Sequence, residues 1–349
     1  MRLIITGGAG FIGSALIRYL LQDNKYDILN IDKLTYAGNR KTLESFENNG
    51  SYRFEQLDIC DVDSIKQLFD EFKPNGLINL AAESHVDRSI DSPRDFVHTN
   101  IMGTFNLLEI SRIYCLNIKH DSTNSRFRFH HVSTDEVFGN LENEQLFTEK
   151  TPYNPNSPYS ATKASSDHLV RAWNRTYKIP AVITNCTNNY GPYQFPEKLI
   201  PLVILNALEG KELPIYGDGK QIRDWLYVDD HVRALMKVFH NGRDGETYNI
   251  GSRTEISNIE IVHLICNILD KLKPHPSLRY KELIKHVSDR PAHDRRYAIN
   301  PEKIETELGW TATESIESGL EKTVKWYLNN FNWCEAMHHR ERLGNISNK

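Results

Sequence analysis

Short apolar runs alternate with amphipathic stretches over roughly the first half of the chain. The run Leu3-Ile4-Ile5 predicts a buried strand, and the apolar spacing of residues 15–21 predicts a helix after it. The same patterns predict strands at residues 28–31, 52–57, 76–82, 127–134 and 181–184, and helices at 62–72, 93–115 and 159–177. Such alternation is typical of the α/β class, with a Rossmann-type, doubly wound parallel sheet.

A stretch dense in amides and turn formers, residues 185–193, predicts a change of domain. We therefore expect a nucleotide-binding Rossmann domain over residues 1–185 and a smaller, interleaved α/β substrate-binding domain over 186–349. The second part contains a predicted helix starting near Pro196 and a short strand at 213–216. The segment 221–228 is expected to return the chain to the first domain, at about 217–250.

Composition limits the possible partners of the chain. Charged residues make up 25% of the 349 residues and the net charge is −4, so no broad basic field favours nucleic acid or a membrane surface. The five cysteines are scattered without metal-type spacing, which predicts free thiols, no metal site and a reducing compartment. With neither a signal segment nor a membrane-length apolar run, we expect a cytoplasmic protein that binds small molecules.

A glycine-rich turn joins the first predicted strand to its helix. Gly7, Gly10 and Gly13 would permit a tight turn, close approach to a pyrophosphate and close helix packing. Asp32 ends the next strand, where a carboxylate suits a ribose diol and repels a 2′-phosphate. The Asp32 carboxylate therefore favours NAD over NADP. The alternative is a structural glycine turn with no ligand.

Thr134, Asp135 and Glu136 follow an apolar strand and set a hydroxyl beside two carboxylates. Successive side chains of a strand point to opposite faces, so the strand must end near Thr134 if both acids serve one site. They could then act as acid and base on one substrate. The alternative is an ordinary helix start, with Ser133 or Thr134 as N-cap.

Tyr159 and Lys163 are four residues apart on a predicted helix, after a proline-rich loop. A free tyrosine titrates near 10, and a neighbouring ammonium together with an oxidised nicotinamide would favour its phenolate. The same spacing recurs at Tyr216 and Lys220, so chance is an alternative, although glycines make that copy a turn.

Arg223 and Arg290 are candidates for binding a diphosphate, because guanidinium groups match phosphate oxygens. The alternative is that each is a solvated surface charge.

Four segments together resemble the nucleotide-sugar branch of the extended short-chain dehydrogenases. They are Gly7-x-x-Gly10-x-x-Gly13, Ser133-Thr134-Asp135-Glu136-Val137, Ser157-Pro158-Tyr159-Ser160-Ala161-Thr162-Lys163 and Asn185-Cys186-Thr187-Asn188-Asn189-Tyr190-Gly191-Pro192. Within this branch, the adjacent acids resemble the subfamily that dehydrates dTDP-hexoses. The resemblance covers residues 1 to about 333.

The resemblance implies NAD-dependent oxidation of the sugar at C4, loss of water across C5–C6 and hydride return to C6. Tyr159, aided by Lys163 and Thr134, would take the O4 proton. Glu136 would take the C5 proton while Asp135 protonates the departing hydroxyl. A UDP-glucose 4,6-dehydratase or a nucleotide-sugar C4 epimerase of the same fold is the alternative enzyme, and a catalytically idle nucleotide-sugar-binding protein is the alternative class.

The resemblance also implies contact residues. NAD would contact, besides the three glycines, Phe11, Ile12, Asp32, Lys33, Thr35, Asp58, Ile59, Leu80, Ala81, Ala82, Ser84, Thr99, Tyr159, Lys163 and Asn189. The nucleotide sugar would contact Ser84, Thr134, Asn188, Lys198, Leu199, Pro214, Tyr216, Arg223, Asn258, Arg290 and His293. The chain departs from the family pattern at 251–255 and at Ala292, which bears on base specificity. A homodimer is implied, through helices 93–115 and 159–177, with Trp173 and Leu169 as candidate interface residues.

Overall fold

The computed structural model describes residues 1–118, 127–141, 145–289 and 294–334, together with Met337. The strands, in chain order, are β1 (Arg2–Thr6), β2 (Asp27–Asp32), β3 (Tyr52–Gln56), β4 (Gly76–Asn79), β5 (Arg128–Thr134), β6 (Ala181–Cys186), β7 (Asn188–Tyr190), β8 (Leu213–Tyr216), β9 (Ile222–Tyr227), β10 (Thr247–Ile250), β11 (Glu255–Ser257) and β12 (Ile284–Val287).

The α-helices are α1 (Phe11–Leu21), α2 (Val62–Phe72), α3 (Val86–Asp91), α4 (Pro93–Phe96), α5 (Thr104–Ile118), α6 (Pro158–Tyr177), α7 (Leu199–Leu208), α8 (Val228–Asn241), α9 (Asn258–Leu272), α10 (Glu302–Leu308) and α11 (Ile316–Asn329). Short 3₁₀ helices occupy Arg40–Phe46, Asp135–Phe138 and Tyr280–Leu283, and Val97–Gly103 forms a π-helix.

Seven parallel strands form the central sheet, in the order β10-β6-β5-β4-β1-β2-β3. Alternate side chains of β1 enter different cores: Leu3 packs with α1 and α8, and Ile4 packs with α2, α5 and α6. Both faces are therefore covered by helices, which explains why β1, β4 and β6 are buried along almost their whole length. This arrangement confirms the expected doubly wound α/β fold.

A smaller α/β part is built beside the carboxyl end of the central sheet. It contains the three-stranded sheet β11-β9-β7 and the pair β12-β8, packed with α7, α9 and α11 around Ile204, Ile265 and Leu320. The chain interleaves the two parts, because α8 packs beside α1 and β10 is an edge strand of the central sheet. The boundary between residues 185 and 186 stays a prediction.

Four predicted elements differ from the structure. The helix expected over 93–115 is interrupted by the π-helix 97–103 and extends to Ile118. The strand expected over 76–82 ends at Asn79. The helix expected near Pro196 begins at Leu199. The run 221–228 was expected to return the chain to the first domain, but β9 lies in the smaller three-stranded sheet, and α8 and β10 make the return.

Candidate active site

A cleft with a cavity volume of about 320 Å³ opens at the carboxyl ends of the central strands. Ligands of open α/β sheets bind at this edge. All five predicted catalytic residues line the cleft: Thr134, Asp135, Glu136, Tyr159 and Lys163. The predicted cofactor residues that line it are Gly7, Gly10, Phe11, Ile12, Gly13, Asp32, Lys33, Thr35, Ile59, Leu80, Ala81, Ala82, Ser84, Thr99, Tyr159, Lys163 and Asn189. Asp58 does not line the cleft; its carboxylate lies behind Lys33, 3.6 Å from Nζ.

The glycine turn brings backbone against backbone at the floor of the cleft. Gly7 has φ +71°, and a Cβ there would lie 2.7 Å from the amide nitrogen of Ala81. A Cβ at Gly13 would lie 2.2 Å from the carbonyl oxygen of Gly7. The residues after β4 stay close to the turn, since the Leu80 N–H donates a hydrogen bond to the Thr6 carbonyl oxygen at 3.1 Å.

The open space above the turn fits a dinucleotide. The amides of Phe11 and Ile12 lie in the first turn of α1, where a helix favours a phosphate. Asp32 fits a ribose, although its oxygens also accept hydrogen bonds from the backbone N–H groups of Ala9 (2.9 Å) and Leu34 (2.8 Å). Burial raises the pKa of Asp32, and those two hydrogen bonds oppose the rise. The carboxylate therefore holds the turn as well as facing the cleft.

The acid pair begins a 3₁₀ helix directly after β5. The Thr134 hydroxyl oxygen caps this helix by accepting a hydrogen bond from the Glu136 N–H at 3.2 Å. Both interpretations of the triplet therefore hold at once: the strand ends at Thr134, and Thr134 is also an N-cap. The turn of the helix lets both Asp135 and Glu136 face one cleft.

Asp135 has the environment of a protonated acid. Its side chain is 2% exposed, and burial together with the neighbouring Glu136 carboxylate raises the pKa of Asp135 well above its usual range. One oxygen accepts a hydrogen bond from the Thr134 hydroxyl at 3.3 Å. Within the described part of the chain, Oδ2 has no hydrogen-bond partner. Asp135 can therefore donate a proton at neutral pH.

Tyr159 lies in the first turn of α6, and Lys163 lies one turn further on. Burial and Glu136 raise the pKa of Tyr159 well above its usual range, while a hydrogen bond with Thr134 lowers it. The Lys163 ammonium is 4% exposed and donates a hydrogen bond to the Val132 carbonyl oxygen at 2.9 Å. In the protein alone the phenol is therefore protonated, and forming its phenolate needs further positive charge.

The predicted substrate residues fall into two groups. Ser84, Thr134, Asn188 and Lys198 line the cleft. Leu199, Pro214, Tyr216, Arg223 and Asn258 lie beyond it, at the start of α7, on β8 and β9, and at the start of α9. Arg290 and His293 lie outside the described residues. All the described members of the second group belong to the smaller part of the fold.

Arg223 is not a solvated surface charge, because its side chain is only 5% exposed. Its guanidinium donates hydrogen bonds to the carbonyl oxygens of Ile222 (2.8 Å) and Asp294 (2.9 Å) and lies 4.5 Å from the Tyr297 ring centroid. These contacts hold β9 against the segment around residue 294.

The cleft has further polar lining residues that sequence reasoning missed. Glu83 lies 3.6 Å from the Lys33 ammonium, and burial raises the pKa of Glu83 although Lys33 opposes the rise. Glu197 lies 3.5 Å from His85 and 3.6 Å from Arg88. The position of Glu197 directly before Lys198 was the available signal; nothing in the local pattern marks Glu83. In the described ranges, no group of three or more His, Cys, Asp and Glu side chains could hold a metal ion.

The extended short-chain dehydrogenase class is defined by three features that are present here: a parallel Rossmann sheet, a glycine turn facing the cleft, and an acid pair beside a buried tyrosine and lysine. Residues 4–323 match the family described as GDP-mannose 4,6 dehydratase. The chain is 54% identical over 360 aligned residues to the dTDP-glucose 4,6-dehydratase of Escherichia coli, an alignment covering 99% of each chain.

Solved structures agree with the sequence comparison. The dTDP-glucose 4,6-dehydratase of Bacillus anthracis in complex with NAD is 43% identical, with a TM-score of 0.86 over 97% of this chain and 99% of that chain. The enzyme from Streptomyces venezuelae, also with NAD bound, is 42% identical, with a TM-score of 0.88 over 97% and 100%. The chain belongs to the GDP-mannose 4,6-dehydratase family and, within it, to the dTDP-glucose 4,6-dehydratases.

Proposed function

We propose that this chain converts dTDP-glucose to dTDP-4-keto-6-deoxyglucose in deoxysugar biosynthesis. The observation that carries the proposal is the acid pair beside Tyr159 in a single cleft, since oxidation and dehydration need different proton-transfer groups. Bound NAD would supply a reversible hydride acceptor for C4 and C6 and, when oxidised, a positive charge in the site. The glycine turn, the start of α1 and Asp32 would hold it.

Tyr159 removes the proton from the sugar O4 during oxidation. Burial disfavours its phenolate, so the hydrogen bond with Thr134 and the positive charges of the loaded site must support that form. The buried Lys163 ammonium supplies one such charge from the same helix face. The resulting 4-ketone makes the C5–H bond acidic.

Glu136 then removes the C5 proton, and Asp135 protonates the departing C6 hydroxyl. The two carboxyl groups differ in environment, because Asp135 is buried whereas Glu136 is half-buried. Two neighbouring carboxyl groups are best used as one acid and one base, since one negative charge disfavours the other. Water leaves, and reprotonation at C5 completes the 4-keto-6-deoxy sugar.

The diphosphate and base of the nucleotide lie, in this proposal, on the smaller part of the fold. Lys198 reaches the cleft, and Pro214, Tyr216 and Asn258 lie on elements beyond it. Arg223 serves there by holding the substrate-binding segments together through its backbone contacts. Arg290 and His293 complete the proposed set.

Separate incubations with dTDP-glucose and UDP-glucose test the substrate assignment. Proton NMR should detect a new C6 methyl group, and it should form faster from dTDP-glucose. Equal rates from both substrates would contradict the base preference. A galactose product without a methyl group would favour the epimerase alternative.

We also infer that the chain forms a homodimer and acts in the cytoplasm. Large apolar side chains are exposed on the helical layer formed by 97–103, α5 and α6: Val97, Met102, Ile113, Leu116 and Tyr177. Such a patch suits a second copy of the chain.

The proposed cytoplasmic location rests on the five free cysteines, of which Cys60 is half-buried, since free thiols fit a reducing compartment. No described helix is both long and apolar enough to span a bilayer.

A further inference from the structure

Asp167 is a fully buried carboxylate on α6, one helical turn beyond Lys163. It does not line the cleft. Its Oδ2 accepts hydrogen bonds from the Ser133 hydroxyl (2.9 Å), the Tyr153 hydroxyl (2.7 Å) and the Asn185 amide (3.3 Å). These donors come from β5, from the loop before α6 and from β6. Three donors on one oxygen are the environment of an ionised carboxylate.

The titratable groups near Asp167 include two cations, Lys163 and Arg171, and one neutral imidazole, His131. Burial raises the pKa of Asp167 above its usual value, and Lys163 and Arg171 on the same helix oppose this rise. The His131 ring nitrogen Nε2 lies 3.4 Å from Oδ1, but burial lowers the pKa of His131 well below its usual range, so this imidazole is neutral. Lys163 and Arg171 each lie one helical turn from Asp167 on α6. The Lys163 ammonium bonds to Val132 and Asp167 bonds to the next residue, Ser133, so the two buried charges lie against consecutive residues of β5.

Lys163 depends on this carboxylate. Its ammonium donates to the Val132 carbonyl oxygen, but burial lowers the pKa of Lys163. Asp167 is the largest influence that opposes this loss of charge, and the Cys186 thiol is the second. Cys186 is itself uncharged at neutral pH, because burial raises the pKa of its thiol to about 12. Asp167 is thus the counter-charge on which the buried ammonium relies.

We propose that Asp167 is a positioning residue that acts through Lys163, by supplying its buried counter-charge and by tying the end of β5 to the helix that carries Tyr159. The tie is direct, because Ser133 precedes Thr134, and Asn185 joins the Thr134 carbonyl oxygen (2.9 Å) to Asp167. This inference rests on the roles proposed above for Tyr159 and Lys163.

A stability cycle tests the coupling without any turnover. Thermal unfolding is measured for the NAD-loaded parent, Lys163→Met, Asp167→Asn and the double variant. Lys163→Met removes a cation one helical turn away from a buried carboxylate on the same helix. The double variant should therefore unfold at a higher temperature than Lys163→Met alone. If the two losses add, Asp167 does not act through Lys163.

A pH profile tests the effect on chemistry. Without the Asp167 charge, the Lys163 pKa falls further and the ammonium is lost at lower pH. In single-turnover reduction of NAD by dTDP-glucose, the alkaline limb should move down by about one pH unit in Asp167→Asn. Asp167→Glu keeps the charge and should restore the parent limb. Tyr153→Phe removes one hydrogen bond but keeps the charge, so it should lower the rate without moving the limb.

The outcomes separate this inference from the proposed function. An unmoved limb in Asp167→Asn, or an equal movement in Tyr153→Phe, would overturn the role of Asp167 as a counter-charge. If the parent protein reduces no NAD with dTDP-glucose, the proposed function fails, and the stability cycle still decides whether Asp167 and Lys163 are coupled.

Discussion

Individual side chains in the cleft acquire their chemistry from burial. Asp135 and Tyr159 are both buried next to Glu136, and both have pKa values raised well above the usual range. Their residue types and order were readable from the sequence, because a hydroxyl and two acids follow an apolar strand. Their protonation states were not, since burial depends on packing from distant segments. From the sequence we expected the Lys163 ammonium to favour the Tyr159 phenolate; in the structure burial, which disfavours the phenolate, is the largest influence on the Tyr159 pKa.

Asp135→Asn should stabilise the protein increasingly as pH rises. The folded-state pKa of Asp135 lies above the unfolded value of about 3.9, so the parent loses stability as pH rises from about 4 towards the folded pKa. The asparagine variant has no such loss. Scanning calorimetry between pH 4 and 8 should find a growing difference in Tm, together with lost activity.

Asp218→Asn is the control of opposite sign. Its exposed carboxylate is paired with Arg295, which holds the pKa of Asp218 below its usual range. Removing this charge should give no gain in Tm at high pH. A parent-like Tm for Asp135→Asn across the whole range would contradict the assignment of Asp135 as a buried acid.

The ends of helices and strands position the side chains of the site. Some of these ends were predicted from the sequence and others were not. The bounds of α2 and β8 were predicted from apolar spacing, because each is a regular element with clear ends. The π-helix Val97–Gly103 was not predicted, since its apolar spacing does not distinguish it from an ordinary α-helix. The side chains of Thr99 and Asn100 there bond to Lys33 (2.9 Å) and Thr162 (2.9 Å), contacts that no local pattern reveals.

Ser157→Ala should loosen the start of the helix that carries Tyr159. Ser157 caps α6 in a reciprocal capping box with Ser160, and Tyr159 lies within this first turn. Loss of an N-cap costs about 1 kcal/mol, so urea unfolding should detect a fall of that size in the free energy of unfolding. The turnover rate should also fall, because the phenol loses its fixed position.

Ser315→Ala is the matched control for the cap. Ser315 caps α11, far along the chain, by accepting a hydrogen bond from the Ser318 N–H at 3.2 Å. It should lose similar stability while keeping the parent turnover rate. If both variants lose turnover equally, the loss at Ser157 reflects general destabilisation rather than the position of Tyr159.

The whole molecule is an interleaved pair of α/β parts with the cleft beside their junction. The sequence predicted the parallel sheet from its strand–helix alternation, and the glycine turn together with the resemblance implied more than half of the residues that line the cleft. The predicted return of the chain, at about 217–250, includes α8 and β10, but it also includes β9, which joins the smaller sheet. Which sheet a buried strand joins depends on long-range pairing, here of Asn188 with Trp225.

Leu116→Asp should convert the proposed dimer to monomers. Leu116 is 48% exposed on α5, and a charge there would be buried unpaired in an interface. Trp173 is half-buried, with its ring 5.7 Å from Phe105, so it supports this helical layer from within. Light scattering at micromolar concentration should give a dimer mass for the parent and a monomer mass for the variant.

Leu272→Asp is the control for the interface, since Leu272 is 37% exposed at the end of α9 in the smaller part. This variant should remain dimeric. A parent protein of monomeric mass would contradict the homodimer, and the exposed apolar side chains of α5 would then need another partner.

Single-turnover absorbance of reduced nicotinamide with dTDP-glucose tests the central claim, the division of labour between Tyr159 and the acid pair. Glu136→Gln should keep the shape of the cleft and allow oxidation at C4, so reduced cofactor should accumulate while dehydration slows about 10²- to 10⁴-fold. Asp135→Asn should behave similarly, because Asp135 also acts after oxidation. Tyr159→Phe should instead suppress the reduction itself. Dehydration by Glu136→Gln at the parent rate, or no reduction in this variant despite normal substrate binding, would contradict the account.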